Sequence, residues 1–98
     1  MAKAHAPITP GEILRTEFLE PMGISQYRLA KATGLSQTRI SEIIRGKRSI
    51  TIETALRLSK ALGVDDRFWI NLQARYDLEV ERDRHGDEID RIESLIAG

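Results

Sequence analysis

The twenty residues Gln-Tyr-Arg-Leu-Ala-Lys-Ala-Thr-Gly-Leu-Ser-Gln-Thr-Arg-Ile-Ser-Glu-Ile-Ile-Arg, from Gln26 to Arg45, constrain the fold more than any other part of the chain. Two helical stretches adjoin here, one starting near Ser25 and the other capped by Ser36, and a turn only about three residues long joins them. Such a turn needs a residue that takes positive φ without steric cost, and Gly34 stands there. Ala30 is small where the first helix of the pair must pass close to the second. Leu29, Leu35, Ile40 and Ile43 have the spacing to fill the angle between them.

The flanking sequence is read from start and stop signals. Residues 1–8 have no helical periodicity and contain Pro7, so they are expected to form a flexible arm. Thr9-Pro10-Gly11-Glu12 combines a cap, a proline at the first helical position and an acid three residues after the cap. Ile13, Leu14 and Phe18 give this first helix a buried stripe, and Pro21 with Gly23 stops it. Gly46 ends the third helix before the basic loop Lys47-Arg48-Ser49. A fourth helix begins around Thr51, with Ile52, Ala55, Leu56, Ser59 and Leu62 on one face and Gly63 at its end. Asp65 caps a fifth, along which Phe68, Trp69, Leu72, Tyr76 and Val80 recur at helical spacing. A last short helix is expected from about Asp87, offering Ile89, Ile92 and Ile96. No segment alternates like a strand. The expectation is therefore an all-α, compact bundle of five to six helices. At 98 residues it forms a single domain: arm 1–8, core 9–64 and a C-terminal helical extension 65–98 for dimer or partner contact.

The formal net charge of zero conceals a split that bears on function. Residues 1–64 carry ten Lys or Arg against five acids, a net +5, whereas residues 65–98 carry five Arg against ten acids, a net −5. A phosphate-binding face can belong to the front half alone. The outward face of the third helix is polar, with Ser36, Gln37, Thr38 and Ser41, and with Arg39 and Glu42 beside them. Gln pairs with adenine, Thr offers a hydroxyl and a methyl to thymine, and Glu accepts from cytosine, so this set can read base edges in double-stranded DNA. Glu42 has two readings: it reads a base, or it pairs with Arg39 or Arg45 on its own helix. Arg39, Arg45, Lys47 and Arg48 flank the face as phosphate contacts, because loop cations reach the backbone more readily than the groove floor.

Enzyme chemistry lacks its raw material. His5 and His85 are the only histidines, there is no cysteine and no Gly-rich phosphate loop, and the adjacent Asp65 and Asp66 point apart. No catalytic residue, metal, cofactor or small-molecule substrate is expected. The N-terminus has no apolar secretory stretch, and no run approaches the roughly 20 apolar residues of a membrane span. With no cysteine to oxidise, the expectation is a soluble cytoplasmic protein.

Ala30, Gly34, Ile40 and Ile43 fall at the spacing of the Cro and phage-repressor (XRE-type) helix-turn-helix family, which the chain resembles over roughly residues 10–64. That resemblance implies a phage-repressor type of bundle. It also puts Ser36, Gln37, Thr38, Ser41 and Glu42 at base-reading positions and Gln26 where the family holds a phosphate. The opening Ile-Thr-Pro-Gly-Glu-Ile-Leu and the stretch Phe-Trp-Ile-Asn-Leu-Gln-Ala-Arg-Tyr-Asp-Leu at 68–78 further resemble the HigA-type antitoxins, extending the similarity over residues 8 to about 80. Such proteins are dimers that neutralise a small RNA-cleaving toxin and repress their own operon, and this is what the resemblance implies. The alternative is a free-standing XRE-type regulator with no toxin.

The C-terminal helix concentrates three of the chain's five aromatics, and Phe68, Trp69, Leu72, Tyr76 and Leu78 form a candidate homodimer interface. The other reading of Phe68 and Trp69 is that they close the core beneath the fourth helix. A dimer would present its recognition helices to half-sites about 34 Å apart, hence to an inverted repeat. For a basic toxin the acidic stretch Asp77 to Glu93 is the electrostatic candidate, with the arm and first helix as a second; the other and favoured reading of that stretch is a solvated, partly frayed end.

Overall fold

The computed structural model describes residues 6–96, which form five helices and no strand. Helix α1 covers residues 10–22 as three continuous pieces: Pro10–Ile13, the wider π-helical turn Leu14–Leu19, and Glu20–Met22. Helix α2 is Gln26–Thr33, α3 is Gln37–Ile44, α4 is Ile52–Leu62 and α5 is Phe68–Asp90.

Four of these starts follow from their caps. The hydroxyls of Thr9, Ser25, Ser36 and Thr51 accept the N–H groups of Glu12, Arg28, Arg39 and Thr54 at 3.0–3.3 Å. Pro21 does not stop α1 as expected. The helix passes through it to Met22 and turns at Gly23, and the wide turn just before it supplies the reason. Proline lacks an N–H and its ring crowds the carbonyl four residues back, so widening the preceding turn lets the helix continue. The Glu20 N–H accordingly bonds five residues back, to the Arg15 carbonyl.

Leu14, Leu19, Leu29, Ala30, Leu35, Ile40, Ile43, Ile50, Ala55, Leu58 and Trp69 form one buried cluster. Helix α1 packs on α3 and α5, α2 on α3 and α4, and α4 on α5. The inward face of α4 is partly the one expected: Ala55 and Ser59 are buried and Leu62 packs on the core, but Ile52 and Leu56 are 69% and 46% exposed and Thr54 and Leu58 are buried in their stead. Ile52 and Leu56 have the same spacing as Thr54 and Leu58 on either side of Ala55 and Ser59, and packing against α2 and α5 selects the latter pair.

Trp69 is fully buried and meets Phe18 of α1 at 5.1 Å and Phe68 at 5.0 Å between ring centroids. It completes the core of the helices that precede it and has no surface for a second chain, which corrects its assignment to a dimer interface. Helix α5 is two helical stretches joined across a kink at His85, and the short helix expected from about Asp87 is the second of them, ending at Asp90. At the junction His85 departs from helical backbone (φ −130°, ψ 15°) with its ring 2.7 Å from Glu81, so the expected turn takes the form of a kink between the two stretches. Ile92 and Ile96 lie past the helix end, 73% and 82% exposed. Of the expected arm, residues 1–5 lie outside the described residues. Pro7 and Ile8 share a hollow with Ile13, Leu72 and Tyr76.

Candidate nucleic-acid interface

The corner between α2 and α3 is locked by local chemistry. Gly34 has φ +76°, and its N–H bonds the Ala30 carbonyl at 2.9 Å. The buried Thr33 hydroxyl donates to the Leu29 carbonyl at 2.7 Å and accepts the Leu35 N–H at 3.3 Å. Arg57 of α4 donates to the Thr33 carbonyl at 2.7 Å and pairs with Glu53 at 3.2 Å, so one of the basic residues of the front half is engaged at the end of α2. Leu29, Ala30, Leu35, Ile40 and Ile43 fill the angle, each no more than 8% exposed. Burying a Leu or Ile side chain contributes about 1.5–3 kcal/mol, so this packing fixes the orientation of α3.

With Ile40 and Ile43 inward, the opposite face of α3 must point out. Ser36 is exposed, and its hydroxyl oxygen is already engaged as the cap of α3. Gln37 and Thr38 are exposed in the first turn, whereas Arg39, Ser41 and Glu42 are half-buried. Gln26 is exposed at the start of α2. The structure thus gathers the sequence-predicted base-reading residues on one helix, with Gln37 and Thr38 the most accessible.

Glu42 pairs with neither of its expected partners. Its carboxylate accepts from Arg48 Nε at 2.8 Å, because the loop turns back over the end of α3, where the Lys47 N–H bonds the Glu42 carbonyl at 2.8 Å. The pair is partly exposed, with side chains 48% and 30% accessible, and such pairs are worth little to stability. Arg45 and Lys47 are exposed and make no ion pair among the described residues. On the opposite flank Arg15 is held by Glu20 at 2.7 Å.

Of the residues expected at a dimer interface, Phe68 is half-buried in the aromatic cluster, Leu72 and Tyr76 are half-buried beside Ile13, and Leu78 is 59% exposed. Two positions carry more of the architecture than the sequence reading gave them. Gly11 is buried where α1 meets α3, and a Cβ there would lie 1.8 Å from the Ile43 carbonyl oxygen. Gln73 is buried in α5 and accepts the Ile50 N–H at 2.8 Å. Its signal was available: it lies four residues after Trp69, on the inward side of an amphipathic helix.

No helix of the described residues is long and apolar enough to cross a membrane. A helix-turn-helix family model matches residues 16–69, more than half of the chain. The chain is 51% identical to virulence-associated protein I of Dichelobacter nodosus over 83 residues, covering 84% of this chain and 77% of that protein. It is 39% identical to antitoxin HigA-1 of Vibrio cholerae over 89 residues, covering 91% and 84% respectively. Among solved structures, Pseudomonas aeruginosa antitoxin HigA with the higBA promoter superposes with a TM-score of 0.86 at 40% identity, over 92% of this chain and 99% of that one. The buried corner, the polar outer face of α3 and these likenesses agree, and the chain belongs to the XRE-type helix-turn-helix family, in its HigA-type antitoxin group.

Proposed function

We propose that this protein is a DNA-binding antitoxin that, as a homodimer in the cytoplasm, represses its own operon at an inverted-repeat operator and neutralises a small RNA-cleaving toxin. The observation that carries the DNA reading is α3: Ser36 caps it, Ile40 and Ile43 anchor it, and Gln37 and Thr38 stand exposed in its first turn. Residues at the start of a recognition helix reach deepest into the major groove. Ser36, Gln37, Thr38 and Ser41 are assigned to base edges, with Glu42 at the rim tied to Arg48. Gln26, Arg39, Arg45, Lys47 and Arg48 are assigned to phosphates. The relative solved with promoter DNA supports the DNA reading as a whole.

Repression needs no chemistry beyond occupancy of the promoter. The dimer is assigned to α5 through Leu72, Tyr76 and Leu78, with Phe68 at its edge. The acidic outer half of α5 is assigned to a basic toxin by charge complementarity.

Footprinting of the DNA upstream of the gene tests the proposal. Two protected half-sites of inverted sequence, with centres about 34 Å apart, are expected. A lone half-site contradicts the dimer, and no protection contradicts the DNA reading. The same preparation is expected to abolish RNA cleavage by the product of the adjacent gene; undiminished cleavage contradicts the toxin assignment.

A further inference from the structure

The stretch of α5 from Phe68 to Leu78 holds a polar side chain that neither the DNA face nor the aromatic cluster uses. Gln73 is 7% exposed, a costly position for an amide unless both of its ends are bonded. Its Oε1 accepts the Ile50 N–H at 2.8 Å, and its Nε2 donates to Asp77 Oδ1 at 3.0 Å. Ile50, itself 3% exposed, closes the loop that presents Lys47 and Arg48. Among the described residues this is the only hydrogen bond to the backbone of residues 48–50. The start of the loop is tied to α3 instead, by the Lys47 N–H on the Glu42 carbonyl and by Arg48 Nε on the Glu42 carboxylate, both at 2.8 Å. A hollow of about 120 Å³ lies beneath the loop, lined by Thr9, Gly11, Gly46, Lys47, Ser49 and Gln73. One side chain of the C-terminal helix therefore pegs the far end of a loop whose near end is held by α3.

We infer that Gln73 is a positioning residue for DNA binding: clamped by Asp77, it fixes the loop that carries Lys47 and Arg48 and so sets where those charges meet the phosphate backbone. The inference rests on the DNA reading proposed above. A purely structural role would lower stability and affinity together. A positioning role also changes the number of phosphates neutralised, which the salt dependence of binding reports independently of stability.

The test compares wild type with Gln73→Met, which keeps the volume but removes the acceptor and the donor. Val64→Ala, a trim of the core edge at the turn between α4 and α5, serves as a control for stability loss. Each protein is titrated onto the upstream DNA at several salt concentrations, and amide exchange at Ile50 is followed by NMR. Gln73→Met is expected to bind about tenfold more weakly, with a salt slope lower by roughly one to two and faster Ile50 exchange; Val64→Ala is expected to keep the wild-type slope. Wild-type affinity in Gln73→Met, or a loss with unchanged slope matching that of Val64→Ala, overturns the inference. Absence of wild-type binding overturns the underlying DNA reading, a result distinct from either.

Should the methionine variant not fold, the exposed Asp77 carries the test. Asp77→Ala and Asp77→Asn remove the same charge, but only the second retains an acceptor for Gln73. About threefold weaker binding and faster Ile50 exchange are expected in the alanine variant relative to the asparagine one. Equality of the two overturns the clamp.

Discussion

Gln37 and Lys47 are both exposed polar residues near the end of a helix, yet they are assigned different work. Gln37 stands in the first turn of α3, where its amide can form paired hydrogen bonds with a base edge. Lys47 lies beyond the other end of the same helix with no ion-pair partner among the described residues, a point charge suited to a phosphate. Gln37→Ala is expected to cost about 1–3 kcal/mol on the operator and little on random DNA. Lys47→Ala is expected to weaken both and to lower the salt slope by about one. Titrations of each variant onto both DNAs check this, and equal losses for Gln37→Ala on the two DNAs contradict base reading. The outward direction of Gln37 and Thr38 was legible in the sequence, because the spacing of Ile40 and Ile43 fixes which face is free. The partner of Glu42 was not legible. It is set by how the Lys47-Arg48 loop folds back over α3, and no periodicity encodes the path of a loop.

Helices α1 and α3 approach backbone to backbone at Gly11, so that the cap sequence Thr9-Pro10-Gly11-Glu12 serves packing as well as helix initiation. Gly11→Ala places a Cβ 1.8 Å from the Ile43 carbonyl oxygen and forces the two helices apart. Overpacking against side chains costs about 1–3 kcal/mol, and here the obstacle is backbone, which yields less. A fall in Tm of roughly 10 °C or more is expected in thermal unfolding. An unchanged Tm contradicts the close approach. The existence of α1 to α4 was legible because each start has a capping residue whose hydroxyl fits the first free amides. The facing of α4 was legible in Ala55, Ser59 and Leu62 but not at its edges, since Ile52 and Leu56 recur at the same spacing as Thr54 and Leu58, and only contact with α2 and α5 distinguishes the two pairs. The passage of α1 through Pro21 was hidden for a similar reason: a wide turn upstream leaves no mark in the hydrophobic pattern.

The whole molecule measures 51 × 28 × 21 Å with a radius of gyration of 16.4 Å, against about 13 Å for a compact chain of this length. The excess arises from α5, whose first turns close the core through Trp69 while its far end carries the acids of the C-terminal third away from it. The +5 and −5 halves of the chain thus correspond to a helix-turn-helix body and a projecting acidic helix. Composition made the charge split legible, but it could not show that Trp69 belongs to the body, because an aromatic at helical spacing serves a core and an interface equally well. Two halves of opposite charge on one small protein make the zero net charge a poor guide to nucleic-acid affinity, and a direct binding measurement decides the matter. Fluorescence-anisotropy titration of the protein onto the DNA upstream of its own gene, beside scrambled DNA of equal length and at two salt concentrations, is that measurement. The account predicts a preference of about a thousandfold or more for the upstream DNA, with affinity falling as salt rises. Equal affinity for the two DNAs, or binding indifferent to salt, would contradict it.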